Sequence, residues 1–413
     1  MRIKKLLVSD TARKLFAVSK TAFTYISVFI LFFLDSGFFA VNNISGTVKL
    51  LLNTAAIIML VLAFGAILRL RKRLLAFYLL FVAVATVSGI VHLNIKQTLI
   101  IVICITMGMA VANLLSYESF KKIYVRMMLF IALFSLVTLF LWLVFPAVIR
   151  LLPTVIKEST VHYNAVFSII SSSTYSTRNY GMFWEPGAFA IFLNIAFLFE
   201  MTDRKQSLWK MMIFATAIVS TLSTLGIICL ANLVAVYLFN NKGGIRNYKR
   251  NRAVLLLASI AAGIYLLCYN EEFVFHVFGK LTDTDKGLNS STATRINAII
   301  YPFKAFASSP LIGIGYNDFL KLSSEYCSDM PTCTFLNWLA IYGIFGLPFC
   351  IGCIRFFLKK GTSLISRIGL FVFSLLVFST ENFLQIGFIY ILVFYGIVGS
   401  RRKKRASFSK AQP

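Results

Sequence analysis

The sequence predicts an all-α fold: a polytopic transmembrane helical bundle of about twelve spans with two long extracytoplasmic loops. Three observations predict it. The 413 residues are 59% hydrophobic and 14% charged, with a mean hydropathy of +0.82, where a soluble chain carries roughly a quarter charged residues. The apolar residues gather in runs long enough for helices to cross about 30 Å of hydrocarbon. The basic residues between those runs are sorted, 31 of the 41 Lys and Arg falling in segments 1–20, 69–73, 116–126, 202–210, 240–252, 355–367 and 401–413. Positive charge is retained on the cytoplasmic side of a membrane, so this partition sets both the spans and their orientation.

In order, the spans are 21–41, 50–68, 74–93, 98–115, 126–149, 182–201, 208–222, 225–239, 253–269, 335–357, 364–380 and 383–399. The first follows Arg2, Lys4 and Lys5. Its apolar run is too long for a signal peptide and no small-residue cleavage pattern follows Asp35, so it reads as an uncleaved span. Spans seven and eight are short and joined by Ser223-Thr224-Leu225-Gly226; they could be one re-entrant feature, and since they enter and leave as a pair the sidedness holds either way. Both termini are expected in the cytoplasm. The spans take up more than half the chain, leaving a single membrane domain, 1–413.

The outer loops at 42–49 and 94–97 are hairpin-sized, whereas 150–181 and 270–334 are long, and long loops of ordinary composition are usually functional. The second contains an amphipathic helix. Ser290, Ser291 and Thr292 can cap it, Ile296, Ile299, Ile300, Phe303 and Ala307 recur on one face, and Ser308-Ser309-Pro310 stops it. With Arg295 and Lys304 and only about fifteen residues, it should lie on the membrane surface.

The net charge of +26 sits mostly in short runs against apolar spans, such as Arg401-Arg402-Lys403-Lys404-Arg405. That pattern anchors a protein to anionic membrane lipids and argues against nucleic acid. Cys104, Cys229, Cys268, Cys350 and Cys353 fall in or beside spans as apolar filler. Cys327 and Cys333 share an outer loop, where they could form a disulfide or stay as thiols.

Two constellations could carry chemistry. Arg178-Asn179-Tyr180-Gly181-Met182-Phe183-Trp184-Glu185-Pro186-Gly187 stands where the first long loop becomes a span. Pro186 suits a first helical turn and Glu185 complements the helix dipole there, so a structural reading competes with a functional one. The second is Arg295 on the loop helix, followed by Ser309-Pro310-Leu311-Ile312-Gly313-Ile314-Gly315-Tyr316-Asn317-Asp318-Phe319. Gly313-Ile314-Gly315 lacks the third glycine and the strand of a dinucleotide fingerprint.

Arg-Asn-Tyr-Gly-x-Phe-x-Glu-Pro-Gly at the start of a mid-chain span, with a later Arg-bearing loop helix running into Ser-Pro-Leu-Ile-Gly-Ile-Gly-Tyr-Asn-Asp-Phe, resembles the O-antigen polymerase and O-antigen ligase family of bacterial inner-membrane glycosyltransferases. The motifs cover roughly residues 175–350 and the layout covers the whole chain. The resemblance implies transfer of glycan from an undecaprenyl-pyrophosphate donor at the outer face of the inner membrane, without metal or cofactor. It implies catalytic roles for Arg178, Glu185 and Arg295, and substrate-binding roles for Asn179, Tyr180, Gly187, Tyr316 and Asn317. Undecaprenyl-pyrophosphate-linked oligosaccharides and a chain-length regulator protein are the partners it suggests. Physically, two arginines from two outer loops can clamp a diphosphate, since a guanidinium forks two phosphate oxygens and stays charged. Glu185 could take the acceptor hydroxyl's proton or orient Arg178.

One departure separates the branches. The ligase branch carries a His just before the span that follows the second long loop. Counting back from Gly343-Ile344-Phe345-Gly346, Thr332 stands in that place here. The polymerase branch is therefore favoured over the ligase. His162 and His276 read as ordinary loop residues, and Asp283-Thr284-Asp285 as a turn rather than a metal-chelating pair. A flippase or other transporter is the rival class. Against it, the two halves are dissimilar, and Asp35, Glu185, Glu200 and Glu381 fall near span ends rather than mid-span.

Overall fold

The longest apolar runs of the chain form its longest helices. A computed structural model describes residues 10–63, 71–157, 160–172, 178–239, 291–326, 331–379 and 381–398. Helices α1 (Asp10–Ser36), α2 (Phe38–Asn43), α3 (Gly46–Ala63), α4 (Lys72–Val91), α5 (Ile95–Leu114), α6 (Tyr117–Val144) and α7 (Pro146–Ile149) come first. Strands β1 (Thr154–Lys157), β2 (Thr160–Asn164) and β3 (Ile169–Ser171) follow, then α8 (Pro186–Met201), α9 (Leu208–Ser220) and α10 (Thr224–Phe239). The rest are α11 (Ser291–Ser308), α12 (Gly315–Tyr326), α13 (Thr334–Tyr342), α14 (Leu347–Leu358), α15 (Leu364–Phe378) and α16 (Gly387–Val398).

Every predicted span has its helix except 253–269, which lies outside the described residues together with Asp283, Asp285, His276 and Cys327. The helices α4, α5 and α6 and the α13–α14 unit are long and apolar enough to cross a membrane, and the other span helices are shorter apolar segments. The chain is an all-α, multi-pass membrane protein.

Local chemistry sets the boundaries. The Ser116 hydroxyl accepts from Ser119 N at 3.1 Å and caps α6, whose first turn carries Glu118 against the helix dipole. Pro146 prevents its continuation. Ser363 caps α15 in the same way, accepting from Ser366 N at 3.1 Å. The predicted span 335–357 is broken by a 3-10 turn at Gly343–Gly346, so α13 and α14 are separate helices.

The first long loop is not wholly irregular. β1, β2 and β3 form an antiparallel sheet with Val155 opposite His162 and His162 opposite Ser171. Strands of three to five residues are too short to stand out beside the helical pattern, although Thr154-Val155-Ile156 and Thr160-Val161 are β-branched, as strands favour.

The core centres on α8, buried along its length from Ala188 to Met201 and packed on α6, α9 and α10. An all-round apolar helix belongs inside a bundle. Rings interlock around it: Phe32 meets Phe192 at 5.3 Å, Phe183 stacks on Phe192 at 4.7 Å, and Tyr124 stacks on Phe388 at 4.8 Å. Within lipid, van der Waals packing of this kind holds helices together, because the surroundings are equally apolar. At the end of the bundle away from the long loops, charge fastens the helices. Buried Lys121 pairs with Glu118 at 3.1 Å and Asp203 at 3.3 Å, and Lys210 pairs with buried Glu200 at 3.5 Å.

Candidate active site

At the loop end, the first motif is folded by its own side chains before it reaches α8. Fully buried Asn179 accepts from Gly181 N at 2.9 Å, and its amide donates to Ser135 and Ser220 hydroxyls at 3.0 Å each. Gly181 then takes φ +51°, a left-handed conformation that an L side chain rarely adopts, and a Cβ there would stand 2.8 Å from the Phe189 ring. The Met182 carbonyl accepts from Phe38 N at 2.5 Å, and Phe183 bridges Gly37, which ties the motif to the end of α1.

The platform for Arg178 is the turn between α9 and α10. Asn179 N donates to Ser220 O at 2.9 Å and Arg178 Nε to Thr221 O at 3.0 Å. Leu222 in this turn has φ +52°. A bulky residue in that region costs about 1–3 kcal/mol and persists only where its surroundings impose it. Here Leu222 N bonds Val219 O at 3.0 Å and Ser223 N bonds the Thr221 hydroxyl at 3.2 Å. The turn thereby offers two carbonyls to the loop that carries the arginine.

Glu185 occupies the N-cap of α8, exposed and without a side-chain capping bond. Gly187, one residue past Pro186, packs against another acid. A Cβ on Gly187 would lie 3.0 Å from Glu381 Oε1 and 3.9 Å from the Ser223 hydroxyl. Tyr180 is half-buried, its ring edge-on to His162 at 5.8 Å. His162 is buried between Tyr180 and Phe38 (5.3 Å), a packing role for a residue read from sequence as an ordinary loop position.

The second motif docks backbone against backbone. Ile314 N donates to Ala340 O at 2.9 Å and Ile344 N to Pro310 O at 2.8 Å, so residues 310–314 seat on the break between α13 and α14. Gly313 has φ +74°, and a Cβ there would collide with the Ile341 carbonyl. Gly315 abuts the His92 ring in the same way. Half-buried Tyr316 accepts from Gln385 Nε2 at 3.0 Å, which also donates to Gln97 Oε1 at 2.8 Å. Burial pushes the Tyr316 phenol above its ordinary range. The Asn94 amide, in the orientation that satisfies its neighbours, donates to Asn317 Oδ1 at 3.3 Å.

Arg295 lies one turn into α11, and its side chain is outside the described residues. That helix packs a small-residue face (Ala298, Pro302, Ala305) on α13 and leaves Ile296, Ile299, Ile300 and Phe303 exposed.

The short segment from Glu381 to Ile386, between α15 and α16, joins the two motifs. Its Glu381 end touches Gly187 and its Gln385 end holds Tyr316. Between them, the Thr334 hydroxyl donates to Glu381 O at 2.6 Å and accepts from Phe383 N at 3.0 Å. Sequence reasoning missed Glu381, Gln385 and Thr334 as site neighbours. Glu381 between two apolar spans was the available signal, while Gln385 fell inside the predicted span 383–399, whose helix begins only at Gly387.

Residues 209–351 match the family model described as O-antigen ligase. That stretch includes the Ser220–Ser223 turn, α11, the second motif and the α13–α14 break, while Arg178 and Glu185 lie before it. No curated protein and no solved structure gives a match.

Proposed function

We propose, from the premise that residues 209–351 form an O-antigen ligase family domain, that this membrane protein is a polysaccharide polymerase. It joins oligosaccharide repeat units carried on undecaprenyl pyrophosphate, at the outer face of the bacterial inner membrane, with both termini in the cytoplasm. The observation that carries the reading is the meeting of both motif regions at one end of the bundle, through the segment Glu381–Ile386. Thr332, standing where the ligase branch has its His, favours polymerisation over ligation.

Arg178, fixed by the Thr221 carbonyl, and Arg295, on the loop helix, hold the donor's diphosphate. Cleaving the sugar–pyrophosphate bond develops negative charge on the leaving group, and positioned cations acting on such charge are commonly the largest catalytic term. Asn179 braces Arg178, Tyr180 borders the mouth, and exposed Glu185 hydrogen-bonds an incoming acceptor glycan. Tyr316 and Asn317 present polar groups to the sugars, and Gly187 leaves space at the start of α8. The short helices fit a lipid-borne substrate. α8, α9 and α15 have 16, 13 and 15 residues, which gives about 20–24 Å against roughly 30 Å of hydrocarbon. Anchored at the cytoplasmic end, they stop short of the outer surface, which brings the site within reach of a diphosphate held in the leaflet.

Deleting the gene tests this reading. Envelope glycan should then be capped by a single repeat unit, because ligation continues without polymerisation. Loss of all glycan from its acceptor, with long lipid-linked chains accumulating, would make the protein the ligase.

A further inference from the structure

Glycosyl transfer requires a group that accepts the acceptor hydroxyl's proton, and Glu185 is a poor candidate because it is open to water at the N-cap. We infer that Glu381 is the general base of the reaction, an assignment that rests on the transferase reading above. Glu381 is only 7% exposed, and Thr334 fixes its backbone by accepting from Phe383 N and donating to the Glu381 carbonyl. Its Oε1 reaches the first turn of α8, into the space that Gly187 leaves by lacking a side chain, 3.0 Å from the point where a Cβ would stand. The Ser223 hydroxyl is 3.9 Å from that same point, and Arg178 is bound two residues away on the same turn, at Thr221 O. One four-residue turn therefore holds Arg178 and borders the space that the carboxylate enters.

The remaining acids with described side chains are placed elsewhere. Glu118, Glu200 and Asp203 pair with lysines at the opposite end, Asp35 accepts from Gly387 N at 2.8 Å inside the bundle, and exposed Asp318 pairs with Lys321 at 3.3 Å. Glu381 is the one among them that is both buried and seated at the first motif. Burial keeps bulk water from competing with the acceptor hydroxyl. In the step, the acceptor oxygen bonds to the donor sugar's anomeric carbon as the bond from that carbon to the pyrophosphate oxygen breaks. The electron pair leaves with undecaprenyl pyrophosphate, and the acceptor's proton passes to a Glu381 carboxylate oxygen.

The test uses the purified full-length protein in lipid nanodiscs with an undecaprenyl-pyrophosphate-linked repeat unit as donor and acceptor. Glu381→Gln should slow elongation by about 100-fold or more while still binding donor, and Glu185→Gln should slow it less than about tenfold. Glu381→Asp, which keeps the carboxylate but withdraws it, should give an intermediate rate and move the acidic limb of the pH–rate profile. Glu381→Gln elongating near the wild-type rate would overturn the assignment. So would Glu381→Asp with wild-type rate and profile, which decides the matter if the Gln variant does not fold. A wild-type protein that transfers glycan only to a different acceptor would defeat the polymerase reading instead, and the same ranking of variants in that transfer would still support Glu381.

Discussion

Arg178 is bound through its Nε to the turn between α9 and α10, and its worth lies in geometry as much as charge. With Nε bonded to Thr221 O, the guanidinium has a fixed plane from which to meet a diphosphate. Losing a charged hydrogen bond to phosphate costs about 1.5–3 kcal/mol per contact, and more if it forms fully only in the transition state. Arg178→Ala and Arg295→Ala should each shorten the polymer sharply, and Arg→Lys at either position should also impair it because the fork is lost. Lys321→Ala should do little, since that lysine is exposed and its pair with exposed Asp318 is screened by water. The measurement is polymer length in cells with each variant at equal levels in the membrane. Normal polymer from either alanine variant would return that arginine to an interfacial anchoring role. The amide and carbonyl of Asn179 are engaged by Ser135, Ser220 and Gly181, so within its motif it braces the loop beside Arg178.

Among the elements, the glycines of the second motif are explained by docking. Gly313→Ala forces a Cβ onto the Ile341 carbonyl at a left-handed φ, and should destabilise the protein by about 1–3 kcal/mol. Gly46→Ala, where a Cβ meets nothing within 4 Å, should be near neutral. Thermal unfolding in detergent compares the two, and a Gly313→Ala midpoint equal to wild type would contradict the docking account. This motif was legible because Gly-x-Gly marks a special backbone in the chain itself. The segment Glu381–Ile386 was not, because its importance comes from contacts with Gly187 and Tyr316, far away in sequence. The small sheet escaped for a different reason, its strands being as short as three residues. The loop helix was legible in extent, yet its protein contact is the small face of Ala298 and Ala305. The Ile and Phe stripe that predicted the helix stays exposed, as an interfacial helix requires.

At the scale of the molecule, sorted charge and apolar run length made the bundle readable. Those two properties answer to the membrane, which acts on every span alike. What they could not convey is that α8, α9 and α15 are short and that one segment between α15 and α16 joins the two motif regions. The most direct test supplies the purified protein, in nanodiscs, with an undecaprenyl-pyrophosphate-linked repeat unit and nothing else. The account predicts a ladder of lengthening lipid-linked glycans with one undecaprenyl pyrophosphate released per added unit. Absence of any ladder, with glycan transferred once the lipid A core is added, would contradict it.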